Sequence, residues 1–262
     1  MILYHRVDGE GEPLLLLNGV AMTVSSWEPV ARIFSESFRL VRCDFRGQLM
    51  MPVRPHADVA GHAEDVVALL DHLEIETTSL VGTSFGGVIA TLVAGRYPER
   101  VRSLVTIAAA HGFYEEMADE VELWKVACRQ SLDGGDRGHL SDVLDPIIFS
   151  PAYIESHSEE RAIRRAQIAA LPDCWFEGLF GLLDSAHSVR LRSELAAIQC
   201  PTMVVAADLD AFVPLDRTRG LAESIGGARF ESIQGAGHAV VVEQPQRVAE
   251  LCLEFLANVE RF

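Results

Sequence analysis

Short apolar runs and amphipathic stretches alternate along the first part of the chain. Ile2 to Val7 reads as a strand, and Asp8-Gly9-Glu10-Gly11-Glu12-Pro13 as a turn. Leu14 to Leu17 is an unbroken apolar run, which suits a strand buried on both faces of a parallel sheet. Trp27 to Phe34 reads as a short amphipathic helix and Phe38 to Cys43 as the next strand. Val59, His62, Val66, Leu69, Leu70 and Leu73 recur at helical spacing. A strand over Ser79 to Val81, a helix over Phe85 to Tyr97 and a strand over Val101 to Ala108 continue the alternation.

From about His111 to Gln199 the alternation stops and helical spacing alone is left. Met117, Val121, Trp124 and Cys128 share a helical face, Glu159 to Ala170 and Cys174 to Leu183 also read as helices, and Pro146, Pro151 and Pro172 punctuate them. The alternation resumes with a strand over Thr202 to Ala207, a helix over Leu215 to Ser224, a strand over Phe230 to Ile233 and a helix over Gln246 to Asn258. The expected fold class is α/β, with a mostly parallel central sheet of about seven strands and flanking helices. Residues 1–110 and 200–262 are expected to form the core domain, and residues 111–199 a helical cap inserted after the strand at Val101. That insertion falls where the strand ends of open α/β sheets carry their sites.

Composition narrows the partners. A chain of 262 residues with 49% hydrophobic and 23% charged positions suits one globular unit with a sizeable core. Its formal net charge of -16 argues against nucleic acid and anionic membrane surfaces and favours a neutral or apolar ligand, although solubility is the simpler use of such charge. The five cysteines are dispersed and form no C-x-x-C pair, which reads as reduced thiols in a cytoplasmic protein. The opening residues lack the pattern of a secretory leader, and no apolar run reaches membrane-spanning length. With no H-E-x-x-H and no clustered His/Cys spacing, no metal or other cofactor is expected.

The chemistry centres on Leu80-Val81-Gly82-Thr83-Ser84-Phe85-Gly86-Gly87. The Gly82-x-Ser84-x-Gly86 spacing between a strand and a helix is that of a nucleophile elbow. Such a turn lifts the Ser84 hydroxyl off the sheet and aims the Phe85 amide at whatever Ser84 attacks, with the helix N-terminus behind it. A serine hydroxyl needs a base and a group that orients the base. After the cap, a strand runs into Asp208-Leu209-Asp210, which supplies two candidate acids, and Gly235-Ala236-Gly237-His238 supplies a base on a glycine-rich strand exit. Among nine histidines only His238 combines that loop with a position after the acids, and His111, which closes a strand, is a candidate for the pocket wall.

Five stretches in order, Leu17-Asn18-Gly19, Asp44-x-Arg46-Gly47, Gly82-x-Ser84-x-Gly86, Asp210 with Pro214, and Gly237-His238, make the chain resemble the α/β-hydrolase superfamily, in its small bacterial, cap-bearing branch. The resemblance spans nearly the whole chain. It implies a serine hydrolase acting on a small carboxylic ester or lactone through an acyl-enzyme, with Ser84 as nucleophile, His238 as base and then acid, and Asp210, which lies a few residues before Pro214, preferred over Asp208. It also implies an oxyanion hole formed by the backbone amides of Val20 and Phe85. Candidate substrate-binding residues are Asn18, Trp27, His111, Phe113, Trp124, Trp175 and Phe212, with Phe176 and Phe180 beside them, although each aromatic taken singly is read first as core, with two or three of them expected to face substrate. C–C bond hydrolases and cofactor-free haloperoxidases share the pattern, and a binding protein on the same fold is the alternative from another class. The implied partner is a small molecule, with a homodimer left open. Two departures stand out. Asn18 replaces the usual histidine before Gly19, and Gln48-Leu49-Met50-Met51 replaces the second glycine and the serine of the usual loop, so that the path of this loop is not given by the pattern.

Overall fold

Leu14 to Leu17 set the layout of the molecule. In the computed structural model, which describes residues 1–259, the four leucines are fully buried, Leu14 and Leu16 on one face of the sheet and Leu15 and Leu17 on the other. Side chains alternate across a strand, so an unbroken apolar run requires cover on both sides. The strands are β1 (Tyr4–Asp8), β2 (Glu12–Leu17), β3 (Phe38–Asp44), β4 (Thr78–Thr83), β5 (Val101–Ile107), β6 (Thr202–Ala207) and β7 (Arg229–Ile233). They form one seven-stranded sheet in the order β1-β3-β2-β4-β5-β6-β7, parallel except for β1, which runs antiparallel to β3.

Helices cover both faces. α1 (Glu28–Phe34) and, at the far end of the chain, the last helix (Pro245–Val259) pack on the Leu14 and Leu16 side. α2 (Val59–His72) and α3 (Phe85–Arg96) pack on the other. From Phe85 to Gly95, α3 is buried all round, as a helix must be when it lies between the sheet and further helices.

The stretch between β5 and β6 holds α4 (Glu115–Leu132), α5 (His139–Ile148), α6 (Pro151–Ser156), α7 (Ser158–Ala169), α8 (Asp173–Ala186) and α9 (Arg192–Leu195). Two points differ from expectation. Pro146 lies inside α5 rather than ending it, in the last turn, where only one ladder bond is forfeited. The return to the core also comes early, because Val189, Leu191 and Leu195 belong to the same apolar cluster as α3. The lobe these helices form packs on a cluster built on Met117, Val121, Trp124, Leu144, Trp175, Phe176 and Leu179, which also takes in Ala110, Phe212 and Val213 from the strand exits. It is tied to the core by a backbone-to-backbone contact, since a Cβ on Gly178 of α8 would lie 1.9 Å from the Gly47 carbonyl oxygen. The chain closes with α10 (Leu215–Glu223), α11 (Val240–Glu243) and α12 (Pro245–Val259), which brings the α-helices to twelve among the described residues. No helix among them is long and apolar enough to cross a membrane.

A buried histidine packs against Phe45 and Phe85. His62 is fully buried, its ring edges toward Phe45 and Phe85 with centroids 5.8 Å and 5.3 Å away, and neither ring nitrogen has a hydrogen-bond partner. Burial, helped by the nearby His56, pushes its pKa down from the ordinary 6.5 to about 4. A folded-state pKa below the unfolded value means that the unfolded chain binds the extra proton between these limits. Stability is then fully present above pH 6.5 and falls as the pH drops toward 4, by up to about 3 kcal/mol. Urea unfolding at pH 7 and pH 4.5 should show this loss in the parent, and His62→Leu should remove most of the difference.

Candidate active site

The site is built at the carboxyl ends of the parallel strands. Ser84 follows β4 with φ 52° and ψ -120°, a conformation that costs a non-glycine residue about 1–3 kcal/mol. Two glycines make it accessible. A Cβ on Gly82 would lie 2.3 Å from the Gly86 carbonyl oxygen, and one on Gly86 would lie 2.2 Å from that of Leu17. The turn is fastened by the Ser84 amide, which donates to the Ile107 carbonyl at 2.8 Å. Pairing of Leu17 with Gly82, and of Thr83 with Ile107, sets the ends of β2 and β5 on either side of the elbow.

The other two polar groups come from the exits of β6 and β7. His238 Nε2 lies 2.9 Å from Ser84 Oγ, and His238 Nδ1 lies 2.8 Å from Asp210 Oδ2. Asp210 Oδ1 in turn accepts from the amides of Phe212 and Val213 at 2.9 Å and 2.7 Å. Both Asp210 and His238 are buried, so these contacts act where water screens them little. The structure thus brings Ser84, His238 and Asp210 into one hydrogen-bonded chain. Asp208 points elsewhere, accepting from the Gly235 amide at 2.6 Å and thereby holding the loop that leads to His238. A ring nitrogen in that position can take the hydroxyl proton, and the carboxylate behind it fixes the tautomer and stabilises the imidazolium.

Two small chambers meet at Ser84. One, of about 50 Å³, is lined by Phe85, Val88, Ala109, Phe113, Met117 and Leu183, among other apolar residues. The second, of about 150 Å³, is lined by His238, Met22, Leu144, Phe149, Val241 and Arg164, among others. Val20, Trp124 and Phe212 border both. The Val20 and Phe85 amides donate to no protein acceptor among the described residues. A larger groove of about 640 Å³, between Pro52–Ala57 and α8, lies apart from Ser84.

The expected substrate-binding residues divide accordingly. Phe113, Trp124 and Phe212 line the chambers. Four others do not, contrary to expectation. Asn18 is fully buried and spends its amide on Asp44 Oδ1 at 3.1 Å and Gln48 Oε1 at 2.9 Å. Trp27 is fully buried in the core, its Nε1 donating to Asn18 Oδ1 at 2.8 Å. Trp175 packs edge-on against Phe176 inside the lobe. His111 pairs with the Tyr114 hydroxyl at 3.1 Å outside both chambers, and burial next to Arg192 and Arg217 lowers its pKa. Phe176 is lobe core, and Phe180 lines the outer groove. Arg164 went unforeseen because α7 carries Arg161, Arg164 and Arg165 close together and nothing in the sequence singles out the middle one. It is held by the buried Asp145, which also takes Arg161.

A family model described as alpha/beta hydrolase fold matches residues 12–142. The chain is 30% identical over 267 residues to the 2-hydroxymuconate semialdehyde hydrolase of Pseudomonas sp. (strain CF600), covering 96% of this chain and 89% of that protein. It is 27% identical to the pimeloyl-acyl-carrier-protein methyl ester esterase of Aeromonas salmonicida, covering 95% of this chain and 96% of that one. Among solved structures, an alpha/beta hydrolase enzyme from a Medee basin deep-sea metagenome library superposes with a TM-score of 0.91 at 24% identity, covering 97% of this chain and 94% of the other. The chain belongs to the alpha/beta hydrolase family.

The two carboxylates are separable by mutation. Asp210→Asn should lower kcat by about 10³–10⁴-fold, because the asparagine favours the wrong tautomer of His238. Asp208→Asn keeps an oxygen for the Gly235 amide and should stay within about tenfold of the parent. Steady-state kinetics on the two variants would reassign the acid if the ranking were reversed.

Proposed function

We propose that the protein is a serine hydrolase that cleaves a small carboxylic ester or lactone through an acyl-Ser84 intermediate. The observation that carries this reading is the 2.9 Å approach of His238 Nε2 to Ser84 Oγ with Asp210 behind it. In the first half-reaction Oγ attacks the carbonyl carbon as its proton passes to Nε2, and the carbonyl oxygen becomes an oxyanion facing the Val20 and Phe85 amides. Each aimed amide contributes about 2.7–4 kcal/mol to such a transition state. Collapse breaks the bond to the alcohol oxygen, which takes the proton from His238. In the second half-reaction His238 draws a proton from water, the hydroxide adds to the acyl carbon, and Ser84 leaves with that proton restored.

The two chambers support a division of the substrate. The leaving group must depart beside the proton donor, and His238 borders the 150 Å³ chamber. The acyl part then lies in the apolar 50 Å³ chamber, which suits a short chain. Arg164 on the leaving-group side, already paired with Asp145, keeps N–H donors for an alcohol that carries oxygen, which is compatible with the neutral ligand that net charge suggests. The likeness to a methyl ester esterase supports ester cleavage. A second reading is a C–C bond hydrolase using the same three residues, and the 30% identity to a 2-hydroxymuconate semialdehyde hydrolase favours it.

Release of p-nitrophenol from p-nitrophenyl butyrate by the parent and by Ser84→Ala tests the proposal. The parent should turn over, and the variant should lose about 10⁴–10⁶-fold with its fold intact. Activity within tenfold of the parent in the variant would remove Ser84 from the nucleophile role.

A further inference from the structure

The Asp44-Phe45-Arg46-Gly47-Gln48 loop leads to a residue with no role so far. Gln48 is fully buried. Its Oε1 accepts from the Phe45 amide at 2.8 Å and from Asn18 Nδ2 at 2.9 Å. Its Nε2 donates to the Gly19 carbonyl at 2.8 Å and to the Val20 carbonyl at 3.3 Å. The side-chain orientation is unambiguous, because the Phe45 amide can only donate and the two carbonyls can only accept.

The Gly19 carbonyl and the Val20 N–H belong to one planar peptide unit. A donor holding the oxygen of that unit fixes the direction of its N–H on the opposite side. It also polarises the unit, making the N–H a stronger donor. Glycine at 19 adds no side-chain restraint to this peptide, whose oxygen also accepts from the Met22 amide at 3.1 Å within the same turn. Of the two donors on that oxygen, Gln48 Nε2 at 2.8 Å is the shorter contact and the one supplied from outside the turn. Asn18 keeps Gln48 in place and is itself held by Asp44 and the Trp27 indole.

We infer that Gln48 is a positioning residue of the oxyanion hole: together with the Met22 amide, its side chain pins the Gly19–Val20 peptide so that the Val20 N–H faces the developing oxyanion. This rests on the serine hydrolase reading above and adds to it a residue that touches neither substrate nor nucleophile. It also gives a use to the loop's departure from the family pattern.

The test uses Gln48→Met, which keeps length and loses the donor, and Gln48→Glu, which turns an acceptor toward two carbonyls. With p-nitrophenyl butyrate, kcat should fall about 10–100-fold in the first and at least as far in the second, with KM within about threefold. Affinity for a trifluoromethyl ketone, whose hemiketal oxyanion must occupy the same hole, should weaken by the same factor as kcat/KM, whereas a merely structural role would not tie the two together. Either variant suffices if the other does not fold. Undiminished kcat and ketone binding in a folded variant, beside an active parent, would overturn the pin alone. A parent that neither hydrolyses the ester nor binds the ketone would overturn the hydrolase reading, and the pin with it.

Discussion

The arrangement depends on one close approach, that of the first turn of α3 to the end of β2. Ser84 holds a left-handed backbone because Gly86 has no side chain to strike the Leu17 and Asn18 carbonyls and Gly82 has none to strike Gly86. Any larger residue at either glycine would push helix and strand apart, and the serine would lose its place relative to His238. The strain costs about 1–3 kcal/mol, small beside the burial of α3 on every side. Since β2 and β4 are neighbours in the sheet, the same approach sets Gly19 and Val20 beside the serine. One packing constraint thus serves Ser84 and the loop that faces it.

Around that point the polar groups are arranged in two independent braces. Asp210, fixed by two backbone amides, orients His238 from the β6 side. Asn18, Gln48, Asp44 and Trp27 form a satisfied buried network on the β2 and β3 side, where burial raises the Asp44 pKa against the hydrogen bonds that lower it. A buried network of this kind is costly if any member is unmatched and rigid when all are matched. The lobe closes the chambers from above. Because Gly47 and Gly178 meet backbone to backbone, it is seated on the same loop that supplies Gln48.

Much of this was legible in the sequence. The unbroken apolar run of Leu14 to Leu17, the elbow glycines and the order of Ser84, Asp210 and His238 carry their geometry in local pattern. What pattern could not give was direction. Trp27 and Trp175 have the same composition signal as Trp124, and only the packing of their helices decides that two are core and one borders a chamber. Asn18 stands where the family pattern has a histidine, and the local pattern does not say that its amide nitrogen is spent inside the core. Its partners lie 26 and 30 residues away. Arg164 was missed for the related reason that its place on the chamber wall depends on how α7 is seated by Asp145, a contact between helices.

The central claim is that Ser84 is the nucleophile that His238 activates. Covalent trapping tests it without knowledge of the natural substrate. The protein would be treated with diethyl p-nitrophenyl phosphate and the adduct located by mass spectrometry of its peptides. A single diethylphosphoryl group is expected on the peptide containing Ser84, absent from Ser84→Ala and formed far more slowly in His238→Ala. Failure of the folded parent to take up the label, or an adduct on another residue that persists in Ser84→Ala, would contradict it.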